Sequence, residues 1–114
     1  MKLVDGNITV SELRTMSEKM DGSLVKAVVD IEKRIMVVDA DLHADQESFL
    51  LENGSKQKDL WGINLYPAQK GSNDWIEFDS MINLRPSQNN RSRYVENAEI
   101  REKIITIINK LVKE

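Results

Sequence analysis

The chain contains no cysteine and a single histidine, His43. The first absence excludes disulfides, thiolate nucleophiles, iron–sulfur ligation and cysteine-ligated zinc. The second excludes a metal site built on two histidines of one chain. No apolar run reaches the length needed to span a bilayer. The opening residues, Met1-Lys2-Leu3-Val4-Asp5-Gly6, are broken by Asp5 before a hydrophobic signal region can form. A cytoplasmic location is therefore expected, with no membrane partner. Glycine-rich phosphate cradles of the Walker or dinucleotide type are also missing, so no cofactor is assigned.

What is present is an ordinary globular balance. The 114 residues are 40% hydrophobic and 31% charged, which suits one domain over residues 1–114 with its own core. Sixteen basic and 19 acidic residues leave a net charge of -3. That charge disfavours nucleic acid, whose binding draws on a broad basic field.

The first element is a helix. Thr9-Val10-Ser11-Glu12 has the spacing of a capping box, and Ile8 with Leu13 occupies the two positions of a hydrophobic staple. Leu13, Met16 and Met20 continue at helical spacing, and Asp21-Gly22 ends the helix. Leu24–Glu32 and Ile35–Ala40 read as a hairpin turning at Lys33-Arg34. Ser48–Leu51 reads as a short strand, with helix as the alternative for Asp45–Leu51. Asn53-Gly54 then signals a second hairpin. Its partner is Leu60–Tyr66, which stops at Pro67. Trp75–Arg85 forms another strand and stops at Pro86. Pro86–Tyr94 is a polar loop. Asn97 caps a long C-terminal helix with an apolar stripe of Ile100, Ile104, Ile107, Ile108 and Leu111. The expected architecture is α+β: an antiparallel sheet of four to five strands, with the N-terminal and the long C-terminal helix packed on one face.

Alternation along the last strand sends Ile76, Phe78, Ile82 and Leu84 to one face and Trp75, Glu77, Asp79, Met81, Asn83 and Arg85 to the other. If it pairs with Leu60–Tyr66, the residues Asn64, Tyr66, Glu77, Asp79, Asn83 and Arg85 share an open surface. A solvated sheet face is the bland reading of this pattern. A ligand or partner surface is the sharper one, and a homodimer would suit it.

A second cluster surrounds the histidine. In an extended chain Asp39, Asp41, His43, Asp45 and Glu47 project together, and His43 with Asp45 offers metal ligation or acid–base chemistry. Same-face neighbours on a strand lie roughly 7 Å apart, too far for one ion without a bend. A third cluster is the loop from Arg85 to Arg93, which contains three arginines with three amides, Gln88, Asn89 and Asn90. With Lys56 and Lys58, Arg85, Arg91 and Arg93 are the residues a nucleic-acid reading would use. No serine lies in a nucleophile-elbow pattern.

Several separated runs resemble a known family. They are His43-Ala44-Asp45, Leu50-Leu51-Glu52-Asn53-Gly54-Ser55, Asp59 through Pro67, Ile82-Asn83-Leu84-Arg85-Pro86 and Asn90-Arg91-Ser92. In this order they resemble an uncharacterised family of small prokaryotic proteins, a domain of unknown function, over roughly Val25 to the end. The resemblance carries no activity, substrate or catalytic residue. It implies weight for His43, Asp45, Asn64, Arg85, Asn90 and Arg91, and less for Asp39 and Asp41. Three functions compete: a non-enzymatic binding or regulatory module, favoured here; a small enzyme or metal-dependent domain using His43 and Asp45; and a nucleic-acid binder through the Arg85–Arg93 loop.

Overall fold

The computed structural model describes residues 1–114. Helix α1 (Val10–Ser17) starts as its sequence predicts. Thr9 Oγ1 accepts from the Glu12 backbone N–H at 3.0 Å, and Glu12 Oε1 accepts from the Thr9 N–H at 3.3 Å. Ile8 and Leu13 are fully buried, as a staple requires. A single 3-10 turn follows, and Asp21 and Gly22 close it with positive φ.

The sheet has five strands, β1 (Lys2–Val4), β3 (Val25–Asp30), β4 (Ile35–Val38), β5 (Leu60–Leu65) and β6 (Ile76–Glu77). Their order is β1-β4-β3-β5-β6, and every neighbouring pair is antiparallel. The β3–β4 hairpin turns through Arg34 at φ 60°, as expected for that charged turn. Strand β1 is an addition, too short to announce itself by alternation. So is a two-stranded parallel pair, β2 (Ile8–Thr9) with β7 (Val112–Lys113), which joins the start of α1 to the end of α3 (Ala98–Leu111).

Two apolar clusters hold the layers. The larger joins Val10 and Leu13 of α1 and Ile104, Ile107, Ile108 and Leu111 of α3 to Val25, Ala27, Val29, Trp61, Ile63 and Leu65. Burying each of those isoleucines contributes roughly 1.5–3 kcal/mol, which offsets the low helix propensity of β-branched residues. Asn97 caps α3, accepting from the N–H groups of Glu99 and Ile100. The smaller cluster, Val28, Val37, Leu50 and Leu60, lies among residues of alternate parity on the strands, hence on the opposite face. Leu50 belongs to helix α2 (His43–Glu52). The sheet is therefore covered from both sides, which the expected arrangement lacked. No helix is long and apolar enough to cross a membrane.

Helix α2 corrects two expectations. Ser48–Leu51 is helical, not a strand, and the extended geometry assumed for 39–47 does not exist. Its buried positions are His43, Gln46 and Leu50, spaced by three and four residues. Two of the three are polar, so the stripe carries little hydrophobic contrast. Asn53-Gly54 makes no hairpin either. Gly54 has φ +97° and ends α2 instead: its N–H donates to the Leu51 carbonyl and the Ser55 N–H to the Leu50 carbonyl, a Schellman closure. A third correction concerns Trp75–Arg85. Only Ile76–Glu77 is strand; Ser80 then caps a 3-10 turn over Met81–Asn83 by accepting from the Ile82 N–H. The alternation assumed along this stretch breaks at that turn.

Candidate functional site

Strand β5 pairs with β3 along its whole length, but β6 covers only Asn64 and Leu65 on the other edge. The backbone groups of Leu60 and Gly62 on that edge need partners, because unpaired buried peptide groups are costly. Side chains from residues 79–94 supply them. The Asn83 carboxamide accepts from the Gly62 N–H at 2.8 Å and donates to the Gly62 carbonyl at 2.9 Å. The Arg85 guanidinium donates to the carbonyls of Leu60, Gln57 and Ile82. It also lies over the Trp61 ring, 4.6 Å from its centroid. Glu47 Oε2 sits 3.8 Å from Arg85 Nη2, close enough for charge attraction and too far for a hydrogen bond.

Asn90 organises the same loop from within. Its amide N–H groups donate to the carbonyls of Asn83, Ser92 and Tyr94, and its Oδ1 accepts from the Glu96 N–H. Asn83, Arg85 and Asn90 are all buried. The structure thus moves Asn83 and Arg85 off the open face where alternation had placed them. Their hydrogen bonds go to backbone, save one from Arg85 Nη1 to Gln88 Oε1 at 3.3 Å, and burial lowers the Arg85 pKa while Glu47 opposes that shift.

The remaining members of the expected surface do converge. Asn64 faces Glu77 across the β5–β6 pair. Its Nδ2 donates to Glu77 Oε1 at 2.8 Å and to the Asp79 carbonyl at 3.2 Å, and the Tyr66 hydroxyl donates to Glu77 Oε1 at 3.0 Å. Burial, then the bond to Glu77, raises the Tyr66 pKa. Arg93, outside the original set, grips Asp79 with two bonds of 2.8 and 3.0 Å. Phe78 and Tyr94 meet edge to face with centroids 6.2 Å apart. Tyr66, Asp74, Glu77, Phe78, Asp79 and Tyr94 line a cleft of about 500 Å³. Sequence reading left Asp74 and Tyr94 out of this surface and gave Arg93 only to the nucleic-acid reading, because the isolated Asp79–Tyr94 bridge that closes the cleft joins residues with no local pattern.

His43 opens α2 and is buried. Its Nε2 lies 2.7 Å from the Ile63 carbonyl, which fixes Nε2 as the protonated nitrogen of the neutral ring. Desolvation lowers its pKa most; the Ile63 carbonyl opposes this, Lys26 and Arg93 assist it, and Asp79 opposes it. Asp45 makes no bond to His43. Two residues apart on a helix, they point to different sides. Asp39 pairs instead with Lys19 at 2.9 Å. No group of three or more His, Asp or Glu side chains converges anywhere in a geometry that would hold a metal ion. The basic residues disperse as well: Arg85 is inside, Arg93 pairs with Asp79 and Lys58 pairs with Asp59 at 2.9 Å. Arg91 is exposed beside Glu96.

A family model described as a protein of unknown function (DUF5674) matches residues 2–111, so the chain belongs to that family. Neither a curated protein nor a solved structure matches it.

Proposed function

We propose that this member of a family of unknown function is a non-enzymatic binding module whose ligand face is the Tyr66–Glu77–Asp79–Tyr94 cleft. One observation carries the reading: this concave surface combines unspent polar groups with aromatic rings. Glu77 Oε2 and the Asp74 carboxylate accept no hydrogen bond from the chain, and Tyr94 is half exposed. Concave sites with a few convergent polar groups are where ligands bind. The buried amides and Arg85 serve to hold the walls. The Nε2 of His43 is engaged by the Ile63 carbonyl and not by a carboxylate, which supports the binding reading over the enzyme reading.

The test is a fragment-mixture titration of the ¹⁵N-labelled protein. Saturable shifts confined to amides of Tyr66, Glu77, Phe78, Asp79 and Tyr94 are expected. Hits that cluster at another surface, or a diverse mixture that leaves the cleft amides unmoved, would overturn the assignment.

A further inference from the structure

Asn53-Gly54 takes no part in the cleft and carries a chemistry of its own. Asn53 is the only asparagine followed by glycine. Every other asparagine precedes a residue whose side chain crowds the peptide nitrogen, whereas glycine leaves that nitrogen open. An open peptide nitrogen beside an asparagine amide can close a five-membered ring on it. Hydroxide removes the Gly54 N–H proton, the nitrogen attacks Asn53 Cγ, the Cγ–Nδ2 bond breaks and ammonia leaves. Water then opens the succinimide at either carbonyl. One opening yields aspartate, and the other an isoaspartyl link in which the main chain runs through the former side chain. No electrons are transferred, and hydroxide and water are the only co-reactants. Both residues are exposed, so solvent reaches them.

The folded chain holds the pair in the wrong geometry for this reaction. Asn53 is the C-cap of α2, with ψ 22°. Tetrahedral geometry at Cα then places the Gly54 nitrogen nearly opposite Asn53 Cβ. Ring closure needs the two nearly eclipsed, so ψ must turn by more than a right angle before the reacting atoms meet. Hydrogen bonds resist that turn. Asn53 Nδ2 donates to the Phe49 carbonyl at 2.7 Å, and the Ser55 N–H to the Leu50 carbonyl at 2.9 Å. The Gly54 N–H adds a longer, weaker bond to the Leu51 carbonyl at 3.4 Å. Buried Ser55 also donates through Oγ to Asp30 Oδ2 at 2.6 Å, which anchors the helix end to β3.

We propose that Asn53-Gly54 is a site of spontaneous deamidation, guarded by the closure of α2 and reached when that closure opens locally. Breaking the two shorter bonds, each of ordinary net strength, holds the folded rate roughly 5- to 150-fold below that of the unfolded chain. If global unfolding were required, the suppression would be roughly a thousandfold or more. The isoaspartyl product inserts an extra main-chain carbon ahead of Gly54. That insertion displaces Ser55 from Leu50 and Asp30, and so releases the end of the helix that covers one face of the sheet.

The experiment ages the full chain in mildly alkaline buffer, folded and in concentrated urea. Mass spectrometry with electron-transfer fragmentation locates the product and separates aspartyl from isoaspartyl forms. Product at Asn53 is expected in both samples, slower in the folded one by the stated factor and ahead of every other asparagine. Ser55→Ala removes the anchor to Asp30 and leaves the reacting atoms alone. It should raise the folded rate about two- to tenfold and leave the rate in urea unchanged. Asn83→Ala weakens the sheet edge elsewhere and should leave the folded rate as it is. The purified isoaspartyl chain should show a lower urea midpoint than its parent. Absence of product at Asn53 in urea removes the site. Equal rates with and without urea remove the guard. A thousandfold suppression that Asn83→Ala relieves assigns the reaction to global unfolding and overturns the local opening. An isoaspartyl chain with an unchanged midpoint overturns the release of α2.

Discussion

The carboxamide of Asn83 stands in for a missing strand opposite Gly62. Its oxygen accepts from the Gly62 N–H and its nitrogen donates to the C=O of the same residue, at 2.8 and 2.9 Å. Its nitrogen also reaches the Arg93 carbonyl at 3.0 Å. One side chain therefore completes the edge of β5 and ties to it the segment bearing Arg93, the residue that holds Asp79 in the cleft wall.

Asn83→Ala should be costly for that reason. It strands the buried N–H and the buried carbonyl of Gly62 at once, while the Arg93 carbonyl keeps its bond from the Ser80 N–H. The expected loss is about 3 kcal/mol, near the upper range for unsatisfied buried groups after partial relaxation. Urea unfolding would show it as a lower midpoint at an unchanged slope. A loss under about 0.5 kcal/mol, the size of an ordinary surface substitution, would sink this account of the edge.

Gly62 is required by space, not by backbone angle. A Cβ there would lie 2.6 Å from Ser80 Cβ and 2.6 Å from Ser80 Oγ, with Ile82 Cγ1 at 3.1 Å. Gly62→Ala should cost about 1–3 kcal/mol through this overpacking. Ser80→Gly removes both of the closest atoms, so the double variant should recover part of the loss. A double-mutant cycle with no coupling would show that the strain lies elsewhere.

His43 gives the fold a pH dependence of definite sign. Burial pushes its pKa below the ordinary 6.5, so the folded chain favours the neutral ring. Above the unfolded value both states are neutral, and the full contribution is present. As pH falls below 6.5 the unfolded chain takes up a proton first, and stability declines until the folded ring also titrates. The depressed carboxyls of Glu12 and Glu96, whose ordinary value is 4.5, act in a lower window. The urea midpoint should therefore drop between pH 6.5 and about 5 in the wild-type chain. His43→Gln preserves a donor for the Ile63 carbonyl and removes the titration. Its profile should be flatter over that range, and an identical slope in both proteins would assign the effect to other groups.

How much of this was legible beforehand depends on the range of the interactions. The capping box at Thr9 and Glu12, the β3–β4 hairpin and the stripe of α3 were all readable. Each rests on hydrogen bonds within a few residues or on an apolar period that the residues themselves display. Helix α2 was misread because His43 and Gln46, two of its three buried positions, are polar. Their burial is justified only by carbonyl partners on β5 and β3: Nε2 of His43 to Ile63, and Nε2 of Gln46 to Lys26 at 2.8 Å. Gly54 was read as a hairpin signal for a related reason. The positive φ that serves a tight turn also serves a helix end, and only the neighbouring elements distinguish the two.

The sequence by itself determined the composition-level exclusions, the α+β class, the start of α1, the hairpin, α3 and the pairing of Asn64 and Tyr66 with Glu77 on one surface. Tertiary structure alone decided that Asn83, Arg85 and Asn90 turn inward, that Tyr94 joins the cleft while Arg93 holds Asp79 from outside it, and that His43 and Asp45 part company. The division has a physical cause. Periodicity and capping are properties of adjacent residues, whereas the demand that Asn83 and Arg85 meet exists only once β5 has paired on one side and left its other edge without a strand from Leu60 to Ile63.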